Sequence, residues 1–223
     1  MKGVNQAFKK TFDIVRPSFL GGPVVIVDYG MGNLRSVQKA FEKVGAKAVI
    51  SGDPETIAKA KKIVLPGVGA FSACMDNLTK ANLIEPIRAV IEEKKPFLGI
   101  CMGMQVLMEE SEEFGTHKGL GLLKGKVIRF KLAKKYKIPH MGWNRITKKK
   151  ACPLLLDVQE GAAFYFVHSY HVVPRDSRPV VATANYGKDF VAMVQQDNIF
   201  ACQFHPEKSQ KEGLKIIKAF AKL

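Results

Sequence analysis

Cysteine is scarce: the 223 residues hold four, at positions 74, 101, 152 and 202. None belongs to a C-x-x-C pair and no regular spacing recurs, which argues against a disulfide framework and for a reducing, cytoplasmic setting. Long apolar runs are missing as well. Uncharged stretches such as Pro96 to Met108 fall well short of the ~18 residues of a membrane span, so no transmembrane helix is expected. The first 23 residues lack an uninterrupted signal core, because Asp13, Arg16 and Pro17 break the segment Phe12 to Leu20. They read as an N-terminal extension over residues 1–23, an appendage or upstream start, joined through Gly21-Gly22 to a domain over residues 24–223. Internal repeats and low-complexity segments are absent. Acidic residues are few, 20 Asp and Glu against 35 Lys and Arg, which leaves a formal charge of +15. Such a balance favours phosphorylated ligands, acidic partners or nucleic acid and says nothing about fold.

What is present is the composition of a globular protein, 47% hydrophobic and 25% charged, with length for one sizeable core or two small domains. From Val24 onward short apolar runs alternate with helical patterns, the mark of βαβ units around a parallel sheet. Val24 to Val27 is a strand, and Leu34 to Val44 a helix with Gly45 as its C-terminal cap. Val49 and Ile50 mark a second strand, and Asp53-Pro54 opens a helix with aspartate as N-cap. Ile63 to Leu65 predicts a buried strand stopped by Pro66. A helical stretch from Phe71 to about Lys95 breaks near Asn82, and Pro96 to Ile100 is again a strand. After Gly119 strands follow with little helix between them: Lys126 to Phe130, Ala163 to Val167, Val180 to Ala184, Phe190 to Gln195 and Ile199 to Phe204. Antiparallel additions are expected there, with a hairpin turn at Gln196-Asp197-Asn198. An amphipathic basic helix capped by Ser209 closes the chain.

The chemistry is concentrated where Pro96-Phe-Leu-Gly-Ile-Cys-Met-Gly-Met-Gln runs from a strand through Gly99-x-Cys101-x-Gly103 into a helix. This is a nucleophile elbow with cysteine in place of serine. Glycines on both sides remove Cβ atoms that would clash in the sharp turn, and the thiol faces the positive end of the following helix. That field is worth ~0.3 to 1 kcal/mol, too little to activate a thiol unaided, so a base is needed. Alone, the pattern equally fits a buried structural cysteine. Phe204-His205-Pro206-Glu207 supplies the base at a strand end, with a carboxylate two residues on that can reach the other imidazole nitrogen. Cys101, His205 and Glu207 then form a triad. Leu65-Pro66-Gly67-Val68-Gly69 opens a glycine-flanked loop whose Gly67-Val68 peptide, with the N–H of Met102, would complete an oxyanion hole; a tight turn needing glycine is the plainer reading of that loop.

Pro66-Gly-Val-Gly, Gly99-Ile-Cys-Met-Gly-Met-Gln and Phe204-His-Pro-Glu-Lys-Ser, in this order and spacing, resemble class I, triad-type glutamine amidotransferases over residues 24 to 222. Three further segments resemble the glutaminase subunits of imidazole glycerol phosphate synthases: Tyr29-Gly-Met-Gly-Asn33-Leu, Pro139-His-Met-Gly-Trp143-Asn144 and Tyr165-Phe-Val-His-Ser-Tyr170. The resemblance implies a flavodoxin-like α/β fold, a mostly parallel central sheet flanked by helices with antiparallel additions in the C-terminal half. It implies glutamine hydrolysis through a γ-glutamyl thioester on Cys101, with ammonia passed to a partner cyclase of (β/α)8-barrel fold in a heterodimer. The cyclase would form imidazole glycerol phosphate and aminoimidazole carboxamide ribonucleotide for histidine synthesis. By the same resemblance Gly69, Gln105 and the backbone near Ser169 and Tyr170 hold glutamine, while Asn33, His140, Trp143, Tyr165 and Lys208 face the cyclase or the ammonia path; core packing is the plainer role for Trp143. The family usually has leucine where this chain has Met102, a volume-conserving change that keeps the backbone N–H.

Other readings have weaker support. Another triad glutaminase, such as that of pyridoxal phosphate synthase or a stand-alone glutamyl hydrolase, shares the motifs. A basic nucleic-acid-binding protein fits the charge, but the lysines are scattered, clustering only at 134–137 and 148–150, without interleaved aromatics. Gly119 to Gly125 is similar to a dinucleotide loop, yet its third glycine is one residue late and a strand follows, so no nucleotide cofactor is expected. Cys202 and His205 do not supply a four-ligand metal site, and no metal is expected.

Overall fold

The computed structural model describes residues 22–223; the expected extension over residues 1–23 lies, but for its last two residues, outside them. In chain order come β1 (Val24–Val27), α1 (Leu34–Lys43), β2 (Ala48–Ser51), α2 (Pro54–Ala58), β3 (Ile63–Gly67), α3 (Phe71–Lys80), α4 (Ile84–Glu92), β4 (Phe97–Cys101) and the single turn α5 (Met102–Gln105). Strands then dominate: β5 (Met108–Ser111), β6 (His117–Lys118), β7 (Leu123–Arg129), β8 (His140–Lys148), β9 (Ala163–His168), β10 (Tyr170–Pro174), β11 (Val180–Asn185), β12 (Asp189–Gln196) and β13 (Ile199–Cys202). Helix α6 (Gln210–Lys222) ends the chain.

Nine strands form one sheet in the order β2-β1-β3-β4-β13-β12-β11-β8-β9, and β10-β7-β5-β6 form a second. The first five strands of the large sheet are parallel and the remaining ones are added antiparallel. Burial explains the division. Every residue of β1, β3, β4 and β13 is buried, as strands covered on both faces must be, whereas β8 and β9 alternate as half-covered antiparallel strands do. One core lies where Phe41 of α1 meets Phe220 of α6 edge-on at 6.2 Å; a second, around Phe71, Leu78, Ile87 and Phe97, lies under α3 and α4. In such a sheet ligands collect at the carboxyl ends of the strands. Gly67, Cys101 and His205 all stand there, at or just beyond the ends of β3, β4 and β13.

Local signals account for most boundaries. Asp53 caps α2 by accepting the Thr56 N–H at 2.8 Å, Gly45 follows α1 at φ +80°, and Asn82 at φ 55° separates α3 from α4. Three expectations need correction. β3 is not stopped by Pro66 but runs to Gly67. The β1 pairing ends at Val64, so Pro66 forfeits no ladder bond on that side, and its carbonyl accepts the Tyr29 hydroxyl at 2.9 Å. The nine-residue strand β8 escaped the apolar pattern because its covered face, His140, Gly142, Asn144, Ile146 and Lys148, carries one aliphatic side chain, while Met141 and Trp143 lie on the exposed face. Ser209 heads α6 without capping it. Its hydroxyl donates to the His205 carbonyl at 2.6 Å and accepts the Tyr165 N–H at 3.0 Å, which ties the His205 loop to β9.

Candidate active site

Cys101 has φ 55° and ψ −107°, a backbone conformation that costs a β-carbon-bearing residue energy and recurs at functional sites. The flanking glycines are required for packing as well as for the turn. A Cβ on Gly103 would stand 1.8 Å from the Leu65 carbonyl oxygen, and one on Gly99 would stand 2.5 Å from the Gly103 oxygen. The helix beyond the elbow is shorter than its sequence implied, four residues, so its dipole contributes little and neighbouring side chains must set the state of the sulfur.

Those neighbours line a cavity of about 260 Å³ shared by Cys101, His205, Gln105, Met102, Val68 and Glu113. His205 is 3% exposed, and its Nδ1 lies 2.8 Å from Glu207 Oε1. That bond leaves Nε2, which is buried and has no hydrogen-bond partner among the described residues. Burial alone would lower the His205 pKa, but Cys101 and Glu207 outweigh it and raise it to about 10, because partners that accept from the ring favour its protonated form. At the other three cysteines burial disfavours the thiolate: it pushes the Cys74 thiol up to about 12 and raises Cys152 and Cys202. All four cysteines are free thiols, and of them Cys101 opens on the cavity.

The glycine loop meets the elbow directly. Gly67 is the register partner of Cys101, and a Cβ on it would lie 2.7 Å from both Met102 Cβ and the Tyr29 hydroxyl. Gly69, at φ +89°, packs on Met31. Ser169 and Tyr170 line the opposite wall, where the Tyr170 carbonyl accepts Gln105 Nε2 at 3.1 Å.

The five residues expected to face the cyclase or the ammonia path divide. Trp143 is half exposed and meets Tyr165 edge-on at 6.2 Å, and Lys208 Nζ stands 5.8 Å over the Tyr165 ring. These three make one patch. Asn33 is exposed and its side chain caps α1 through the Ser36 N–H. His140 does not reach the surface: it is 3% exposed, on the opposite face of β8 from Trp143, and stacks on Tyr186 at 4.2 Å.

Sequence reasoning missed two groups at the site, one on the cavity wall and one buried behind Cys101. Glu113 lines the cavity and accepts the Phe71 N–H at 2.6 Å, serving α3 in place of a side-chain cap; its signal was the acidic run Glu109 to Glu113 in a basic chain. Gln203 is fully buried and points its Nε2 at Cys101 Sγ, 3.6 Å away; its signal was a polar residue amid apolar ones, two before His205.

Histidines beside the site give it a pH signature. Burial lowers His140 to about 4, His168 to about 3 and His171 to about 4. Between about pH 6.5 and 4 the unfolded chain binds protons that these folded rings refuse, so stability falls as pH drops through that window. His205 works the other way, its contribution complete below about pH 6.5 and lost as pH rises through about 10. Thermal melting followed by circular dichroism from pH 4 to 10 is therefore expected to peak near neutrality. A midpoint unchanged from pH 6.5 to 4 contradicts the acid arm, and Glu207→Gln is expected to flatten the alkaline one.

A family model described as glutamine amidotransferase class-I matches residues 25–222. The imidazole glycerol phosphate synthase subunit HisH of Syntrophotalea carbinolica is 54% identical over 202 residues, covering 88% of this chain and 98% of that protein. Its counterpart of the same name in Methanocaldococcus jannaschii is 50% identical, covering 89% and 98%. Among solved structures, PurLQS from Thermotoga maritima superposes with a TM-score of 0.70 at 20% identity, over 91% of this chain and 98% of that one. A crystal structure of a glutamine amidotransferase gives 0.71 at 18%, over 91% and 100%; both likenesses concern the fold alone.

Proposed function

The chain belongs to the class I glutamine amidotransferase family, and from that premise we propose that it is the glutaminase subunit of imidazole glycerol phosphate synthase, with residues 24–223 as its domain and Cys101, His205 and Glu207 as its triad. The observation that carries this reading is a positive-φ cysteine sharing a cavity with a histidine whose other nitrogen is bonded to a buried carboxylate. Glutamine lies against Gly69, Gln105, Ser169 and Tyr170, and Glu113, a carboxylate on the cavity wall, receives its ammonium group. His205 takes the Cys101 proton and the sulfur attacks the side-chain carbonyl. The oxyanion meets N–H groups from the Gly67-Val68 loop and Met102. The intermediate collapses to the γ-glutamyl thioester as His205 returns the proton to the departing ammonia. His205 then deprotonates a water that releases glutamate.

Ammonia passes to a partner cyclase subunit, for which we propose a (β/α)8-barrel fold, docked against Trp143, Tyr165, Lys208 and Asn33. The cyclase uses the nitrogen to form imidazole glycerol phosphate and aminoimidazole carboxamide ribonucleotide in the cytoplasm. Among the described residues no helix is long and apolar enough to cross a membrane. The oxyanion loop needs the docked partner to set it, so the isolated chain is expected to hydrolyse glutamine negligibly. One oxyanion donor is worth on the order of 10² to 10³ in rate, and adding the cyclase with its nucleotide substrate is expected to raise glutamate release by at least that factor. Rapid release by the chain alone contradicts the partner requirement; no release with the partner and its substrate contradicts the function.

A further inference from the structure

The side chains behind Cys101 form one continuous hydrogen-bonded series whose donor directions are all determined by a single carbonyl. The Tyr170 oxygen can only accept, so the Gln105 atom 3.1 Å from it is the amide nitrogen. The same nitrogen lies 3.0 Å from Gln203, whose facing atom must then be the oxygen, and this turns the Gln203 NH2 toward Cys101 Sγ at 3.6 Å. On the far side of Tyr170, His168 Nδ1 donates to the same carbonyl at 2.8 Å, and its Nε2 accepts from His140 Nδ1 at 3.0 Å. His140 Nε2 in turn accepts from Asn144 Nδ2 at 3.3 Å, and Asn144 also donates to the Asn185 carbonyl at 2.8 Å. Every imidazole in this series is neutral with one donor and one acceptor, as its burial requires.

From this geometry we propose that Gln203 is a catalytic residue in its own right, donating an amide N–H to the Cys101 sulfur while its oxygen holds Gln105 in place for substrate. The proposal rests on the reading of Cys101 as nucleophile. An N–H aimed at sulfur favours thiolate over thiol, because a hydrogen bond to an ionised acceptor is stronger than one to its neutral form. Gln203 itself cannot drift: it is fully buried, and its backbone N–H is bonded to the Ala192 carbonyl at 2.9 Å. The titratable groups around Cys101 are His205 with Glu207 behind it, the Tyr29 phenol, the thiols of Cys74 and Cys202, and Glu113 on the cavity wall.

The test is carbamidomethylation of the full chain by iodoacetamide from pH 5 to 9, with Cys101 followed by peptide mass spectrometry in wild type, Gln203→Met and Gln203→Glu. Methionine matches the length and removes the donor; Cys101 is expected to react about tenfold more slowly near neutral pH, its profile displaced about one unit to higher pH. Glutamate puts a negative charge against the sulfur and is expected to displace it further. A Gln203→Met profile superposable on wild type, with Cys101 still the selectively modified thiol, overturns the role of Gln203 and leaves the nucleophile reading intact. A wild type in which Cys101 reacts no faster than Cys74, Cys152 and Cys202 sinks that reading instead. Should the variants not fold, the assigned Gln203 side-chain amide protons of the wild-type chain decide the matter. They are expected to move upfield when Cys101 is alkylated, and unmoved resonances overturn the proposal.

Discussion

Cys101→Ala is expected to abolish glutamine-dependent turnover, by about 10⁴-fold or more, while the complex with the cyclase continues to form its product from added ammonium. The size follows from the chemistry: with no sulfur there is no thioester, and removing the nucleophile of a hydrolytic triad costs on the order of 10⁴ to 10⁶ in rate. The selectivity follows from the geometry. Cys101 is buried at the tip of β4, with its sulfur within 4.0 Å of the Val167 carbonyl, and removing one atom there leaves the patch of exposed Trp143 and Lys208 around half-buried Tyr165 untouched. Paired assays of the complex, with glutamine and with ammonium chloride, read the two activities. Loss of both in a folded, docked complex contradicts a purely nitrogen-supplying role.

A second large effect is expected at Gly103. Its added Cβ would lie 1.8 Å from the Leu65 oxygen and 2.9 Å from the Leu65 carbonyl carbon. Those are backbone atoms of a strand buried at every residue, so neither side yields cheaply. Gly103→Ala is expected to destabilise the chain by at least about 3 kcal/mol, at the upper end of overpacking, lowering the melting temperature by about 10 °C. Glutaminase activity should go with it even below that temperature, because α5 can relieve the clash only by moving the Met102 N–H and the elbow off Gly67. Gly45→Ala is the control: nothing lies within 4 Å of its Cβ, and the cost is confined to its φ of +80°, about 1 to 2 kcal/mol. Equal losses in the two variants, by thermal melting, contradict the packing explanation.

Much of this was legible in the residues. Val24 to Val27, Ile63 to Leu65 and Pro96 to Ile100 read as buried strands because a sheet covered on both faces needs unbroken apolar runs. The elbow was legible for a related reason: its turn, its glycines and its thiol lie within five residues, so the constraint and the chemistry share one short segment. β8 was not, since its covered face carries His140, Gly142, Asn144 and Lys148 with Ile146 as the one aliphatic residue, so no apolar alternation marks it. His140 shows the same limit, as its motif suggested the cyclase surface or the ammonia path and the strand's alternation, which put its ring inside, removes the first. Ser209 misled for another reason: a serine before a helix ordinarily caps it, and here a carbonyl and an N–H from two other segments claim its hydroxyl first.

The sequence by itself determined the parallel half of the fold, β1 to β4 with the helices between them, and marked Cys101, His205 and Glu207 as candidates, because hydrophobic periodicity and turn chemistry act over a few residues. Only the tertiary structure decided that Glu113 shares the cavity, that Gln203 faces the sulfur, and that two histidines are held neutral behind Tyr170. Those relations join residues 65 to 102 positions apart in the case of Gln105, Gln203 and their partners. A polar side chain acquires such a role only when packing removes water and leaves one neighbour within reach.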